Sequence, residues 1–522
     1  MPGATQEHYL TSNRRAFRLN ETVIVRVLLG LLILYVIVRG FAGAASTTFW
    51  YDEILTATVT ALPSLKSIWT ALASNLDGQP PAFYAVERAF RGMAKDQHIA
   101  LRLLPILAFP CVLGCIFSYV RKRSGELIAL LCAALVLSTV LFQRYQTEAR
   151  PYGLVIACFA FALVCYQRVP SVWWVILLGF SLFLANSFHY FSVVAMLTFG
   201  LAETMYLVTS RRIRWRVWLA LAVGGVPLLV FWPLLAGQRV YYGPHFWARY
   251  GLREIPSTYG SFFFIASGYG AGIAAVCITG MLILQFWRRP DSGTAESRST
   301  ELAEGTLLLS LIGLPLLAYI IVLIMHGGAM RAAYVLPALL AMILAIGRIL
   351  GAMPRVGALL LAVFLLMNIS TREFKFWESA RSLSFVKPTE PFRKLLHSAN
   401  YPDTRVPIVV ASPFLYVGLT FYGPGPLGQR LFYLADEEKE LRFIGSDSTG
   451  KNLDVLQKYL SLQIRDYEQF VSTHDHFLLY IGEPDVSDWI FQYSVQQGYR
   501  VQAVVIDPPC KLFLVTIDKS SP

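Results

Sequence analysis

Two adjacent carboxylates follow the first long apolar run of the chain. Asp52 and Glu53 lie in the stretch TTFWYDEILTAT. If a surface helix begins here, Asp52 could be its N-cap and Glu53 could complement its dipole, a role worth about 1 kcal/mol. Beside a bound substrate, the same carboxylates could instead accept a proton as a general base. The residue types alone leave both interpretations open.

Three arginines stand at the predicted starts of apolar helices: Arg102 in HIALRLLP, Arg150 in TEARPYGL and Arg331 in HGGAMRAAYVLP. A cation is disfavoured there, because the helix dipole already places positive charge at the N-terminus. Phosphate is favoured, since free N–H groups and a guanidinium can both donate to it. Each arginine could instead extend to the membrane interface, and Arg150 could pair with Glu148. Taken together, the three arginines favour a shared anionic ligand.

The composition predicts that these residues lie on a polytopic α-helical membrane protein. Of the 522 residues, 55% are hydrophobic and only 15% are charged, whereas one bilayer crossing takes about 20 mostly apolar residues. The net charge of +12 then reflects basic loops and gives no reason to expect nucleic-acid binding. We predict about eleven transmembrane helices, near residues 22–45, 98–118, 126–143, 152–168, 171–190, 192–210, 217–236, 262–287, 305–325, 332–350 and 356–371.

The basic residues set the predicted orientation. They cluster before the first span and in alternate loops, such as RRIRWR at 211–216 and WRRP at 287–290. These loops lie inside if the N-terminus is cytoplasmic. An odd number of spans then makes residues 1–371 the membrane domain and places residues 372–522 outside. The polar segment 290–305 is predicted to be a flexible inner loop.

The predicted outer segments differ in character. The first outer loop, 46–97, has helical spacing in two pieces separated by Pro63, which predicts two amphipathic helices on the membrane surface. In the segment after 372, short apolar stretches alternate with a helix-like stretch at 451–471, which predicts an extracytoplasmic α/β domain. His474 and His476 could share a strand face as metal ligands, but a third ligand is missing nearby, so a loop is favoured.

Four motifs carry a resemblance to a known group of enzymes. The stretches WYDE, DGQPPAFY, IALRLLPIL and YQTEARPYGL resemble, in order and spacing, the GT-C membrane glycosyltransferases over roughly residues 20 to 350. Within them the chain is similar to the protein O-mannosyltransferase-like group, which includes Rgt-type lipopolysaccharide galacturonosyltransferases and the aminoarabinose transferase of lipid A. The resemblance implies a GT-C type fold.

The resemblance also implies chemistry and location. The donor would be a polyprenyl-phosphate-linked sugar, and the acceptor would be a lipid, glycan or protein at the outer face of the bacterial inner membrane. Asp52 would be the catalytic base and Glu53 the second acid of the pair. Gln79 departs from the His or Lys that often precedes the paired prolines. Metal dependence stays open: no cofactor is certain, and a divalent cation would suit some relatives.

The motifs and neighbouring segments supply further candidates. Arg102, Arg150 and Arg331 would bind the donor phosphate and stabilise it as it leaves, with inversion at the sugar. The candidate substrate contacts are Asp77, Gln79, Tyr84, Glu148, Tyr152, His189 and Tyr190. The aromatic ones could instead belong to an interfacial belt.

Two other classes of function remain open on the sequence alone. One is a transporter or flippase of an anionic lipid or polyprenyl-linked sugar. Transporters usually show internal repeats and interrupted spans, and the sequence predicts neither. The other is a scaffold without catalysis, whose outer domain binds a partner.

Overall fold

The computed structural model shows a long helical region followed by a smaller domain built on a sheet. The described residues are 3–245, 251–263, 267–286, 295–324, 331–381, 389–399, 405–423, 427–482, 488–508 and 510–517. The helices up to residue 381 are α1 (Gly3–Ser46), α2 (Tyr51–Thr60), α3 (Leu65–Ala73), α4 (Pro81–Phe90), α5 (Gln97–Ser124), α6 (Glu126–Leu135), α7 (Val140–Tyr145), α8 (Tyr152–Tyr166), α9 (Val172–Phe188), α10 (Ser192–Ser210), α11 (Trp215–Val230), α12 (Trp232–Tyr242), α13 (Glu254–Phe262), α14 (Ser267–Phe286), α15 (Ala295–Ile312), α16 (Leu314–Ile324), α17 (Pro337–Leu350) and α18 (Pro354–Arg381).

Each predicted membrane span contains an apolar helix. Within the described residues, five helices are long and apolar enough to cross a bilayer, or up to seven if each of two bent pairs counts as one span. The shorter apolar helices α6, α8, α9 and α17 occupy the other four predicted positions. The expected class, a polytopic helical membrane protein, is therefore confirmed.

The expectation of uninterrupted spans is wrong at two places. Helices α11 and α12 meet at an angle of 55°, and α15 and α16 meet at 65°. In each pair a proline, Pro233 or Pro315, is the second residue of the later helix. Proline donates no backbone hydrogen bond and its ring clashes with the carbonyl four residues earlier, so a helix bends or ends just before it.

Two segments near the predicted inner loops also differ from expectation. Helix α15 begins at Ala295, so residues 295–305 are helical and not a flexible loop, while 290–294 and WRRP at 287–290 lie outside the described residues. The buried carboxylate of Glu304 pairs with Arg123 of α5, which fixes this segment against the bundle. Helix α18 continues to Arg381, past the predicted domain boundary at 371.

The C-terminal domain is the expected α/β unit. Its helices are α19 (Thr389–Ser398), α20 (Pro413–Tyr422), α21 (Glu437–Ile444), α22 (Ser448–Leu456), α23 (Tyr467–Thr473) and α24 (Trp489–Gln496). Its strands are β1 (Ile408–Val410), β2 (Leu431–Ala435), β3 (Ile464–Asp466), β4 (His476–Ile481), β5 (Arg500–Asp507) and β6 (Cys510–Thr516). The sheet order is β3-β2-β1-β4-β6-β5. Strands β3, β2, β1 and β4 pair in parallel, and β6 pairs antiparallel with β4 and β5.

Each apolar stretch expected to be a strand is one, but the helix expected over 451–471 is wrong. Helix α22 ends at Leu456, and β3 follows before α23 begins. Ile464 pairs with Tyr433 of β2, so sheet pairing overrides the local helical pattern. His474 stacks on Phe470 with ring centroids 4.2 Å apart, and its Nδ1 lies 3.0 Å from the Phe470 carbonyl oxygen.

Helix α2 is a buried helix and not the expected surface helix. Every residue from Tyr51 to Thr60 except Asp52 is buried, because α2 packs against α4 and against α20 of the C-terminal domain. Helix α3 keeps more of the expected character, since Leu65 and Trp69 remain exposed. The C-terminal domain thus covers one side of the helix that carries the candidate base.

Polar contacts join the C-terminal domain to the start of α2 and to the segment after α3. The Asn452 side chain contacts the Tyr51 hydroxyl at 2.5 Å and donates to the Leu76 carbonyl at 2.8 Å. The Tyr422 hydroxyl accepts from the Phe49 amide at 2.7 Å. The sequence could not identify these contacts, because the partners are more than 370 residues apart in the chain.

Candidate active site

The first turn of α2 positions Asp52. Trp50 caps the helix, and its amide donates to the Glu53 carboxylate at 3.2 Å. Asp52 therefore lies inside the helix, and the alternative that it is the N-cap does not hold. Burial raises the pKa of the Asp52 carboxyl above its ordinary value, and the positive charges of Arg150 and Arg331 act against this rise. Asp52 thus lies within electrostatic reach of both arginines.

Arg150 is held against α2 by the DGQPPAFY loop. Its Nη1 and Nη2 atoms both donate to the Asp77 carboxylate, and both side chains are buried. Asp77 also accepts from the Tyr84 hydroxyl and from the Gly78 amide. The Arg150 Nη1 atom lies 3.3 Å from the carbonyl oxygen of Asp52. Asp77 and Tyr84 therefore fix the arginine that approaches the candidate base.

One guanidinium nitrogen of Arg150 makes no hydrogen bond in this arrangement. Its Nε atom is buried and has no hydrogen-bond partner within the described residues. A buried donor without a partner costs free energy. A ligand oxygen at this position would remove that cost.

The structure gives Arg102 different partners from the phosphate expected for it. Its Nε and Nη2 atoms donate to the two oxygens of Glu53 at 2.8 and 2.7 Å. Its Nη1 atom donates to the Ala44 and Thr47 carbonyls, and Nη2 also reaches the Thr48 carbonyl. Every N–H of the guanidinium therefore has an acceptor, and none remains for a donor phosphate. Glu53 is likewise paired with the arginine and is not open to a substrate.

A cavity of about 140 Å³ adjoins this cluster. It is lined by Trp50, Val140, Arg144, Tyr145, Glu148, Tyr152, Ser261, Phe262, Arg331, Ala332, Ala333 and Leu336. Neither Asp52 nor Arg150 is part of the lining. The cavity brings together three of the candidate residues, Glu148 and Tyr152 from the YQTEARPYGL motif and Arg331 from a distant segment, and it adds Arg144, which sequence reasoning missed.

Arg144 and Glu148 form an ion pair in the cavity wall. The Nε atom of Arg144 donates to one oxygen of Glu148 at 3.0 Å, and the guanidinium lies 5.2 Å from the ring centroid of Trp50. The other oxygen of Glu148 is buried without a partner within the described residues. Burial raises the pKa of Glu148 to about 7, although Arg144 acts in the opposite direction. The spacing of four residues between Arg144 and Glu148 was the signal for this pair, although α7 ends at Tyr145 and Glu148 lies in the turn that follows.

The remaining predicted contacts, His189, Tyr190 and Gln79, do not line this cavity. Tyr152 packs against His189 with ring centroids 5.5 Å apart, and His189 packs against Tyr334 at 4.8 Å. The hydroxyl of Tyr190 and the side-chain oxygen of Gln79 are buried and lack hydrogen-bond partners within the described part of the chain. His189 and Tyr334 line a smaller cavity that shares Tyr152 with the first one.

The charges of the site are balanced by arginines. Among the described residues, no group of three or more histidine, cysteine, aspartate or glutamate side chains is arranged to hold a metal ion. Asp77 pairs with Arg150, Glu53 with Arg102 and Glu148 with Arg144. These carboxylates do not form a metal-ligand set with this geometry.

Comparisons with solved structures identify the fold. The structure of ArnT from Cupriavidus metallidurans bound to undecaprenyl phosphate matches with a TM-score of 0.52 and 13% identity, over 95% of this chain and 99% of ArnT. The apo form of ArnT matches with a TM-score of 0.43 and 13% identity, over 96% and 100% of the two chains. An Archaeoglobus fulgidus oligosaccharyltransferase in complex with Zn and sulfate matches with a TM-score of 0.39 and 12% identity, over 77% of this chain and 59% of that one.

The first of these comparisons confirms the GT-C type fold expected from the motifs. It extends over almost the entire chain, including the C-terminal domain. No protein-family model matches the sequence, and no curated protein matches it either. At 13% identity the likeness defines the fold, so the activity has to be argued from the site.

Proposed function

We propose that this protein is a membrane glycosyltransferase that moves a sugar from a polyprenyl-phosphate-linked donor to an acceptor hydroxyl. One observation carries the proposal: carboxylates and guanidinium groups from distant segments converge beside one cavity. The Arg150 Nη1 atom lies 3.3 Å from the Asp52 carbonyl oxygen, and Arg331 shares the cavity wall with Arg144 and Glu148. The fold is that of ArnT, and the solved ArnT structure contains undecaprenyl phosphate.

The proposed reaction is a single displacement. The acceptor oxygen attacks the anomeric carbon, and the bond from that carbon to the phosphate oxygen breaks, with its electron pair passing to the phosphate. Asp52 accepts the proton of the acceptor hydroxyl. Attack opposite to the leaving group inverts the anomeric centre. The products are the glycosylated acceptor and the polyprenyl phosphate.

The arginines supply electrostatic stabilisation in this proposal. Arg331 and Arg144 face the cavity, and Arg150 offers its unpartnered Nε atom from the adjoining cluster. Guanidinium groups in a partly dehydrated site stabilise the charge that develops on a leaving phosphate. Arg102 takes no part in phosphate binding, since its donors are already used.

The basic loops support the proposed orientation, and the resemblance to GT-C enzymes supports the proposed membrane. The protein lies in the bacterial inner membrane with its N-terminus in the cytoplasm. The site and the C-terminal domain then lie on the extracytoplasmic side, where they meet a lipid, glycan or protein acceptor. The thiol of a cysteine engineered into the C-terminal domain should react with a membrane-impermeant reagent in intact cells.

The direct test uses purified protein and a panel of undecaprenyl-phosphate-linked sugars. Wild-type protein should release undecaprenyl phosphate from at least one donor when acceptor-containing membrane extract is present. The Asp52→Asn variant should be slower by about 10²–10⁴-fold, the usual contribution of a positioned base. Wild-type rates in this variant would remove Asp52 as the base.

A second candidate function is transport of a lipid-linked anion. The two bent helix pairs, at 55° and 65°, favour it, because transporters commonly use interrupted spans. Proteoliposomes that contain a fluorescent undecaprenyl-phosphate sugar distinguish the two. Transport would move the intact donor between leaflets without cleavage. Glycosyl transfer would break the sugar–phosphate bond.

A further inference from the structure

The buried pair of Glu53 and Arg102 is built as a two-point clamp. Two nitrogens of Arg102 meet the two oxygens of Glu53 at 2.8 and 2.7 Å. Each side chain is only 2% exposed. A bidentate contact of this kind fixes orientation as well as distance. The two residues are 49 positions apart in sequence, so the clamp joins α2 to α5.

The arginine side of the clamp holds the connection between α1 and α2. The guanidinium donates to the carbonyl oxygens of Ala44 at 3.1 Å, Thr47 at 2.8 Å and Thr48 at 2.9 Å. These residues lead directly into Trp50, which caps α2 and lines the cavity. Arg102 thereby fixes the entry of the chain into the turn that carries Asp52.

The glutamate side of the clamp holds the other half of the site. The Glu53 carboxylate accepts from the backbone amide of Ala149 at 2.8 Å. Ala149 lies between Glu148 and Arg150, and the Arg150 amide closes this tight turn by donating to the Glu148 carbonyl at 2.7 Å. A displacement of Ala149 therefore moves both charged neighbours relative to α2.

We propose that Glu53 and Arg102 are positioning residues. Their ion pair fixes the positions of Asp52, Glu148 and Arg150 relative to one another. The inference rests on the proposed function. It differs from the direct roles expected from the sequence, in which Arg102 binds phosphate and Glu53 takes part in proton transfer. The pair acts through the backbone at Ala149 and at Trp50.

The kinetic test compares Glu53→Gln, Arg102→Gln and the double variant, all purified in full length. Each single variant should lower kcat by about 100-fold, the size expected when reacting groups are misplaced by about 1 Å. The dissociation constant of undecaprenyl phosphate should rise less than tenfold, because Arg144 and Arg331 remain in place. The double variant should be no slower than the worse single variant, since both residues act through one pair.

Independent losses that multiply in the double variant would overturn the proposal. So would a dissociation constant for undecaprenyl phosphate that rises by 100-fold in Arg102→Gln, because that result would make Arg102 a direct phosphate ligand. Glu203→Gln is the matched control. Glu203 forms a buried pair with Arg214, away from this site, and its loss should leave kcat within about threefold.

Hydrogen exchange keeps the inference separate from the proposed function. The Ala149 amide should exchange slowly in wild-type protein and in Glu203→Gln, and at least tenfold faster in Glu53→Gln. If wild-type protein transfers no sugar while this difference is found, the proposed function fails and the clamp stands. If Ala149 exchanges equally in all three proteins, the clamp itself is refuted.

Discussion

The guanidinium of Arg150 is bound by the Asp77 carboxylate through two nitrogens, across 73 positions of sequence. The pair joins the DGQPPAFY loop to the turn before α8. The same guanidinium contacts the Asp52 carbonyl at 3.3 Å, so one arginine connects both acidic motifs. The site therefore depends on Asp77 for the placement of Arg150, whatever else Asp77 contacts.

Replacing Asp77 by asparagine should loosen this arrangement without changing its shape. We expect kcat/KM for an undecaprenyl-phosphate sugar to fall by about 30-fold or more, because a buried charge that loses its partner costs roughly 2–5 kcal/mol. Tyr84→Phe removes one hydrogen bond to Asp77 and should cost about tenfold or less. If Tyr84→Phe lowers activity more than Asp77→Asn does, Tyr84 contacts the substrate itself.

Arg331 and Arg144 should be separable by binding measurements. Arg331→Ala should weaken the binding of undecaprenyl phosphate by about 10-fold to 100-fold, since a charge-assisted contact contributes about 1.5–3 kcal/mol. Arg144→Ala should also lower the unfolding temperature, because it removes the ion pair with the buried carboxylate of Glu148. Isothermal titration in detergent or nanodiscs measures both constants. Unchanged binding together with a lower unfolding temperature in Arg331→Ala would assign that arginine a structural role.

The pH dependence of the reaction should show the titration of Glu148. Its carboxyl has a pKa raised to about 7, chiefly by burial. It is therefore protonated in the folded protein below that pH and ionised above it. If the ionised form accepts a proton or balances Arg144 during turnover, kcat/KM should rise as the pH increases through about 7.

Glu148→Gln is the variant that checks this assignment. Its profile should lose the limb near pH 7, because glutamine does not titrate. Asp52→Asn should keep that limb at a much lower rate. If the wild-type rate instead decreases as the pH rises through 7, the ionised form of Glu148 is not the active one, and protonated Glu148 is the active species.

Glu440 in the C-terminal domain should make the free energy of unfolding depend on pH. It is buried beside the Tyr433 hydroxyl at 2.9 Å, and burial raises its pKa from 4.5 to about 8. The folded protein thus holds this proton more tightly than the unfolded chain. Its contribution to the free energy of unfolding is fully present below about pH 4.5 and is lost as the pH rises toward about 8.

The corresponding measurement is the thermal unfolding midpoint of the full-length protein at several pH values. Glu440→Gln should flatten the decrease in the midpoint between about pH 4.5 and 8. Glu438→Gln, an exposed position of the same helix, is the matched control and should keep the wild-type slope. An identical slope in both variants would show that other groups cause the dependence.

Much of the architecture was predictable because it depends on local composition. Runs of apolar residues predicted the positions of the spans, and short apolar stretches predicted strands of the C-terminal sheet. Local patterns failed where distant partners decide the conformation. Helix α2 has surface-helix spacing but is buried by α20, and the stretch at 451–471 has helical spacing but gives part of its length to β3.

The sequence by itself determined that arginines and carboxylates stand at the ends of apolar helices, where an isolated charge is unfavourable. Tertiary structure alone decided the distant partners, since Arg102 meets Glu53 and Arg150 meets Asp77, and it placed the local pair of Arg144 and Glu148 in the cavity wall. Any of these arginines could satisfy any carboxylate within reach, because Coulomb attraction has no sequence specificity. Only the packing of the helices fixes which groups meet, and so which guanidinium groups remain available to a phosphate.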